Sequence, residues 1–237
     1  SRIFENACLD RGEDGAAAKA VLDAISILKR DYPAVPVIGN LTGPVSTAAS
    51  LIDPNRFYVG FRKDPEGVHA LMDFVTDQLI AFGREMARAG ADVIMIADPS
   101  GTGEIMGPRF FEEYTVFYLN KLLDGLKAEG CGTIIHICGQ MAPVLEQTGQ
   151  IRCDAYSFDA IVPVLQMKSA LAGKVLMGNV STYAIEGESP EKVISLSENA
   201  IRQGFRIISP ACGLGMGSPL ANVQAVLKGV QEAAWQK

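Results

Sequence analysis

The sequence predicts an α/β fold in which parallel strands are covered by helices. Short apolar runs alternate with amphipathic helical patterns six times between about residue 35 and the C-terminus. The runs are continuous, as in Val93-Ile94-Met95-Ile96, which is the pattern of strands buried on both faces. A third observation is positional. The runs end in polar residues: Asn40, Asp98, His136 with Cys138, Asp159, Asn179 and, after the last run, Cys212. In a (β/α) barrel the active site is built on that rim. Six strands are fewer than the eight of a closed barrel. A doubly wound sheet also accommodates six, but it does not naturally bring every strand end to one centre.

Residues 1–15 are polar and carry no clear period. Helical spacing of Val21, Leu22, Ile25 and Leu28 predicts a helix over 16–30, ended at Asp31-Tyr32-Pro33. Val35 to Leu41 is a short strand, and 46–51 a short helix before Asp53-Pro54. Val68, Leu71, Met72, Val75, Leu79, Phe82 and Met86 line one face of a long helix over 65–89, which stops at Gly90. The second strand is 92–98. After the Pro99–Gly103 loop, a helix over about 108–129 turns Phe111, Tyr114, Tyr118 and Leu122 inward. The third strand is 132–138, followed by a short helix over 141–147. The fourth strand is 155–159, with a helix over 162–171, and the fifth strand is 174–179. Ser189-Pro190 opens a helix that ends at Gly204, by the pairing of a serine cap with proline at the first helical position. The last strand is 205–209. Ser218-Pro219 opens a final helix with Leu220, Val223, Leu227 and Val230 inward.

Bulk properties narrow the function. The 237 residues are 48% hydrophobic and 20% charged, with no linker or composition shift, so a single domain over 1–237 is expected. A net charge of −6 and a pI near 5.0 argue against a nucleic-acid surface. No run reaches the ~18 apolar residues of a membrane span, and no signal-like segment is visible. Five cysteines (8, 131, 138, 153 and 212) are too few and too odd for a disulfide scaffold, so a reducing, cytoplasmic setting is expected. Gly101-Thr102-Gly103 and Gly213-Leu214-Gly215 match neither a phosphate loop nor a dinucleotide fingerprint.

One constellation carries chemistry. Side chains two apart on a strand point the same way, so His136 and Cys138 project together from the end of their strand. Taken alone, the pair reads equally as a buried histidine beside an inert core cysteine. Cys212, in Pro210-Ala211-Cys212-Gly213 after the last strand, adds a third soft ligand. One imidazole and two thiolates make a candidate open zinc site. Cys131 and Cys153 lie near strand starts and read as structural, Cys8 is unassigned, and His69 reads as packing or surface.

Several stretches together resemble the uroporphyrinogen decarboxylase-like superfamily, and within it the methylcobamide:coenzyme M methyltransferase branch. They are Gly39-Asn40-Leu41-Thr42-Gly43-Pro44, Ala97 to Glu104, His136-Ile137-Cys138-Gly139, Met177-Gly178-Asn179-Val180 and Ser209 to Gly213. The resemblance implies a (β/α)8 TIM-barrel type of fold, here incomplete, holding about six of the eight strands and lacking the family's N-terminal part. It implies Zn2+ on His136, Cys138 and Cys212, with Asp159 able to take the fourth position. It implies Asp98 as a catalytic or substrate-steering rim carboxylate, and Asn40 and Asn179 as shapers of a substrate pocket. Asp98 as a cap, Asp159 as a partner of loop amides, and the asparagines as turn formers remain open. The activity implied is methyl transfer from a methylcobamide, carried on a partner corrinoid protein, to a thiol such as coenzyme M. Transfer to tetrahydrofolate, tetrapyrrole decarboxylation and a non-catalytic corrinoid- or metal-binding subunit are the alternatives. Neither a nucleic-acid nor a membrane partner is expected. A homodimer covering the open strand edge is a further expectation.

Overall fold

The computed structural model describes residues 15–234, so Cys8 and the first fourteen residues lie outside the described part. The strands are β1 (Ile38–Thr42), β2 (Val93–Ala97), β3 (Gly132–Ile137), β4 (Ala155–Phe158), β5 (Val175–Val180) and β6 (Ile207–Pro210). They form one sheet in sequential order, β1 to β6. The helices are α1 (Ala16–Asp31), α2 (Pro44–Leu51), α3 (Pro54–Lys63), α4 (Pro65–Arg88), α5 (Gly103–Phe110), α6 (Phe117–Leu126), α7 (Leu145–Gly149), α8 (Val164–Ala170), α9 (Thr182–Gly187), α10 (Pro190–Arg202) and α11 (Leu220–Ala234). Parallel strands in sequential order, joined by helices, make an α/β fold of the (β/α)-barrel type, an incomplete barrel with six strands among the described residues. No described helix is long and apolar enough to cross a membrane. Packing divides the chain into two compact units. One runs to Gly101 and includes Arg109–Ile134; the other comprises Thr102–Pro108 and everything from Ile135.

In the first unit, β1 and β2 pair in parallel, with Ile38 opposite Val93 and Thr42 opposite Ala97. β1 is not buried on both faces as its apolar sequence suggested. Gly39 and Leu41 are buried, while Ile38, Asn40 and Thr42 are exposed. The buried face meets α4: a Cβ on Gly39 would lie 3.1 Å from the Met86 sulfur, and one on Gly83 would lie 3.1 Å from Leu41. α4 carries its expected stripe, with Val68, Leu71, Met72, Val75 and Met86 buried. On α1 only Ile25 of the expected stripe is buried. α3 was not anticipated, although Asp53-Pro54 is its signature: Asp53 accepts from the Arg56 amide as N-cap, and Pro54 takes the first helical position. The helix expected over 108–129 is interrupted. Gly107 has φ 64°, Phe111–Val116 forms a π-turn, and α6 follows. Phe111, Tyr114, Tyr118 and Leu122 are nevertheless all buried.

In the second unit, β4, β5 and β6 pair in parallel. Val180, Ile185, Val193, Ala225 and Val226 form the core beneath α10 and α11. Of the inward residues expected on the final helix, Val223 packs against this core and Val230 is partly buried, but Leu220 and Leu227 are not. Leu220 and Leu227 are 70% and 60% exposed, and the packed positions are Asn222, Ala225, Val226 and Gly229. The reason is closeness: a Cβ on Gly229 would sit 2.7 Å from the Ile194 carbonyl oxygen. The small Gly229 lets the two helices approach, so size as well as hydropathy selects the contact face. α9 was also unanticipated; Ser181 caps it through the Ala184 amide.

Candidate metal centre

The second unit gathers the three soft side chains. His136 is buried near the end of β3, and Cys138 follows it by one alternation of the strand. Cys212 arrives on the segment after β6, tied down by the bond from the Ala211 amide to the Val180 carbonyl at 2.8 Å. His136 Nε2 lies 2.8 Å from Cys138 Sγ, and Cys138 Sγ lies 3.3 Å from Cys212 Sγ. Together with Cys212, these ligand atoms all fall within 4.8 Å of one another.

The other imidazole nitrogen is also committed. His136 Nδ1 lies 2.9 Å from the Ser157 hydroxyl on β4. That bond fixes the ring and leaves Nε2 facing the sulfurs, the role that an outer partner plays for a metal-binding histidine. Sequence reasoning gave Ser157 no role. The signal was there: Ser157 is a polar residue inside an apolar strand, two positions before Asp159 and so on its face. The residues fit zinc by donor type and spacing. Bond lengths of about 2.1 Å to nitrogen and 2.3 Å to sulfur put tetrahedral ligands about 3.5–3.8 Å apart. The sulfur pair is already near that separation, and the nitrogen needs to withdraw by less than an ångström.

Electrostatics in the protein alone favour a neutral His136 and a neutral Cys138. Burial lowers the His136 pKa, against a smaller opposing pull from Asp159. The Cys138 thiol is pushed up to about 12, first by burial and then by Cys212 and Asp159. A cation there would reverse that balance and draw both thiols into thiolates.

The turn leaving Cys138 is narrowly specified. Gly139 has φ 81°, a left-handed conformation that suits glycine. Its amide donates to Asp159 Oδ2 at 3.4 Å, while Asp159 Oδ1 accepts from the Ile161 amide at 3.1 Å. Asp159 is thus a partly exposed carboxylate held on two loop amides beside the thiols.

The remaining candidates are placed as follows. Asp98, in the first unit, is fully buried. It accepts from the Val45 amide at 3.1 Å, the Ser46 amide at 2.8 Å and the Ser46 hydroxyl at 2.6 Å. α2 has no side-chain cap of its own, so Asp98 caps it from across the unit. Two of the resembling stretches meet here: the Gly43 amide bonds the Ala97 carbonyl at 2.7 Å, and a Cβ on Gly43 would collide with the Asp98 carboxyl. Asn40 is exposed on β1. Asn179 is partly buried at the end of β5 and lines a cleft of about 330 Å3 with Ser181, Asn199 and Gln203. Cys153 is buried, with its thiol also pushed up to about 12 by that burial. His69 stacks on Tyr114 at 4.7 Å and meets the Tyr118 hydroxyl through Nδ1 at 2.8 Å.

An α/β protein of the barrel type, with an imidazole and two thiols converging at strand ends, is the class that fold and site define. Its family follows from comparison. The model described as Uroporphyrinogen decarboxylase (URO-D) matches residues 6–233, and the chain belongs to that family. It is 31% identical over 210 residues to Methylcobamide:CoM methyltransferase MtbA of Methanosarcina acetivorans, covering 88% of this chain and 62% of the relative. It is 29% identical over 226 residues to the Methylated-thiol--coenzyme M methyltransferase of Methanosarcina mazei, covering 94% of this chain and 60% of the relative. Among solved structures, a methyltransferase from Methanosarcina mazei superposes with a TM-score of 0.83 at 29% identity, covering 90% of this chain and 63% of that one. The chain therefore spans about three-fifths of the length of these relatives.

Proposed function

We propose that this chain takes part in moving a methyl group from a methylated corrinoid, presented by a partner protein, to a small thiol, with zinc held by His136, Cys138 and Cys212. The observation that carries the reading is the convergence of one imidazole nitrogen and two sulfurs within 4.8 Å. Three protein ligands leave one tetrahedral position for a substrate. Zinc bound there would hold the acceptor's thiol as a thiolate and keep it nucleophilic at neutral pH. In the overall reaction the acceptor sulfur bonds the methyl carbon as the methyl–cobalt bond breaks, leaving its electron pair on cobalt. The relatives named as methylcobamide:CoM methyltransferases support this donor and acceptor.

The chain's own residues set the conditions. Ser157 holds the His136 ring so that Nε2 is the nitrogen turned toward Cys138. Asp159, beside the thiols, is the residue we assign to the fourth position when no acceptor is bound. Asp98 we assign to positioning the segment after β1 through the start of α2, so that it acts on Asn40's surroundings from within. Asn40 and Asn179 we assign to the substrate-facing side of their strands.

The test joins metal content to turnover. The purified protein should carry about one zinc per chain, and Cys212→Ala should lose it while retaining the wild-type circular dichroism spectrum. Zinc-loaded protein should demethylate methylcobalamin in the presence of 2-mercaptoethanesulfonate, followed by cobalt absorbance. Full zinc loading without any demethylation above the buffer rate would refute the enzymatic reading.

A further inference from the structure

The turn that follows Cys138 is held from two sides. The Gly139 amide donates to Asp159 Oδ2 and the next amide, Gln140, donates to Glu104 Oε1, each at 3.4 Å. Both bonds are long for N–H···O, so neither alone fixes the turn firmly. Glu104 also makes a closer approach. Its Oε1 would collide with a Cβ on Gly139, and the Thr102 hydroxyl would be only 2.9 Å from that Cβ. Thr102 is 3% exposed. The backbone between them is equally close: a Cβ on Gly103 would sit 2.9 Å from the Gln140 carbonyl oxygen. Thr102-Gly103-Glu104 therefore lies flush against residues 139–140, one residue beyond a candidate ligand.

We infer that Glu104 is a positioning residue for Cys138, holding the 139–140 turn so that the thiol stays turned toward His136 and Cys212. The inference rests on the proposed role of the three-ligand site. It also follows from the double duty of Asp159. If Asp159 leaves the Gly139 amide to occupy a metal's fourth position, Glu104 is the carboxylate that remains on the turn, together with the close packing of Thr102 and Gly103. Glu104 acts as a hydrogen-bond acceptor on backbone. A neutral glutamine, which keeps a carbonyl oxygen at the same reach, should therefore substitute for it, whereas alanine should not.

Two readouts test this on the full chain. In zinc-loaded protein, chelator competition should show zinc held about tenfold more weakly in Glu104→Ala, within the range for lost outer partners of metal ligands. Glu104→Gln should recover most of that loss. The second readout needs no metal. Cys138 and Cys212, with sulfurs 3.3 Å apart, should close a disulfide when metal-free protein meets 4,4′-dithiodipyridine. The reagent's S–S bond is reduced to two thiopyridones as the protein's two thiols are oxidised. Closure should be several-fold slower in Glu104→Ala and near wild type in Glu104→Gln. Closure at the wild-type rate in Glu104→Ala, or Glu104→Gln behaving as alanine does, overturns the inference. Wild-type protein that binds no zinc defeats the proposed function instead, and the closure rates still decide the role of Glu104.

Discussion

Asp98 and Asp159 look alike in the sequence and differ in the fold. Each is a carboxylate just past the C-terminal end of an apolar strand, at the rim where barrel-type proteins place their chemistry. Asp98 is fully buried and directs both oxygens at the first turn of α2. Asp159 is partly exposed, rests on two loop amides, and lies close enough to raise the pKa of the Cys138 thiol and to oppose the lowering of the His136 imidazole's. The segment after the strand makes the difference. After β1 comes Gly43-Pro44, a helix start without its own cap, and a neighbouring carboxylate fills that need. After β3 comes a glycine turn that offers single amides, and a carboxylate there remains free to exchange partners. A rim position therefore makes a carboxylate available, and the amides it meets decide whether it holds structure or faces ligands.

The largest effect expected from this contrast is on stability. Asp98→Ala leaves two buried amides and the Ser46 hydroxyl without their acceptor, at about 1–3 kcal/mol each. Removing a buried charge offsets part of this. Burial raises the Asp98 pKa from 3.8 to about 6, outweighing the three hydrogen bonds that lower it, and two units correspond to roughly 3 kcal/mol. A net loss of about 3 kcal/mol at pH 7 is expected by urea unfolding. A loss below about 1 kcal/mol would mean that Asp98 is not the cap of α2.

A smaller effect follows from the same shift. A carboxyl whose folded pKa lies above its unfolded value binds more protons in the folded state. Its stabilisation is full below about pH 4 and is lost as pH rises through about 6. Between pH 7.5 and pH 5 this group should add about 1.4 kcal/mol of stability to the wild type. Asp98→Asn, which cannot titrate, should lack that increment when the two unfolding curves are compared across the same pH range. Parallel pH profiles in the two proteins would contradict the raised pKa.

The contrast also shows where the sequence was legible. Strand alternation sufficed to put His136 and Cys138 on one face, because that depends on local periodicity; the lone Cys212 after the last apolar run was a candidate third ligand, and its meeting with them is a contact across 74 residues that the fold supplies. The same rule applied to β4 would have found Ser157 two places before Asp159. Glu104 was not legible, since its hydrogen bond is to the Gln140 backbone amide, 36 residues away in sequence. Nor was the close approach of α11 to α10 at Gly229, which depends on a residue being small rather than apolar. Asp98 and Asp159 could not be separated from sequence because the deciding partners, Val45 and Ser46 for one and Gly139 and Ile161 for the other, are supplied by the fold.

The smallest effect on stability, and the sharpest test of the contrast, belongs to Asp159. It is partly exposed, and water can replace it on the Gly139 and Ile161 amides, so Asp159→Asn should change unfolding stability by less than about 1 kcal/mol. Its effect on ligands should run in two directions. If Asp159 competes with the acceptor for a zinc ion's fourth position, removing it weakens zinc binding when no thiol is present. It should also strengthen thiol binding to the zinc-loaded protein, because the thiol no longer displaces a ligand. Chelator competition and calorimetric titration with a small thiol measure the two terms, and changes of about tenfold in opposite directions are expected for one lost ligand or its support. If Asp159 only braces the loop, as Asp98 braces α2, zinc and thiol affinity should fall together or not change. That outcome would make the two carboxylates alike after all.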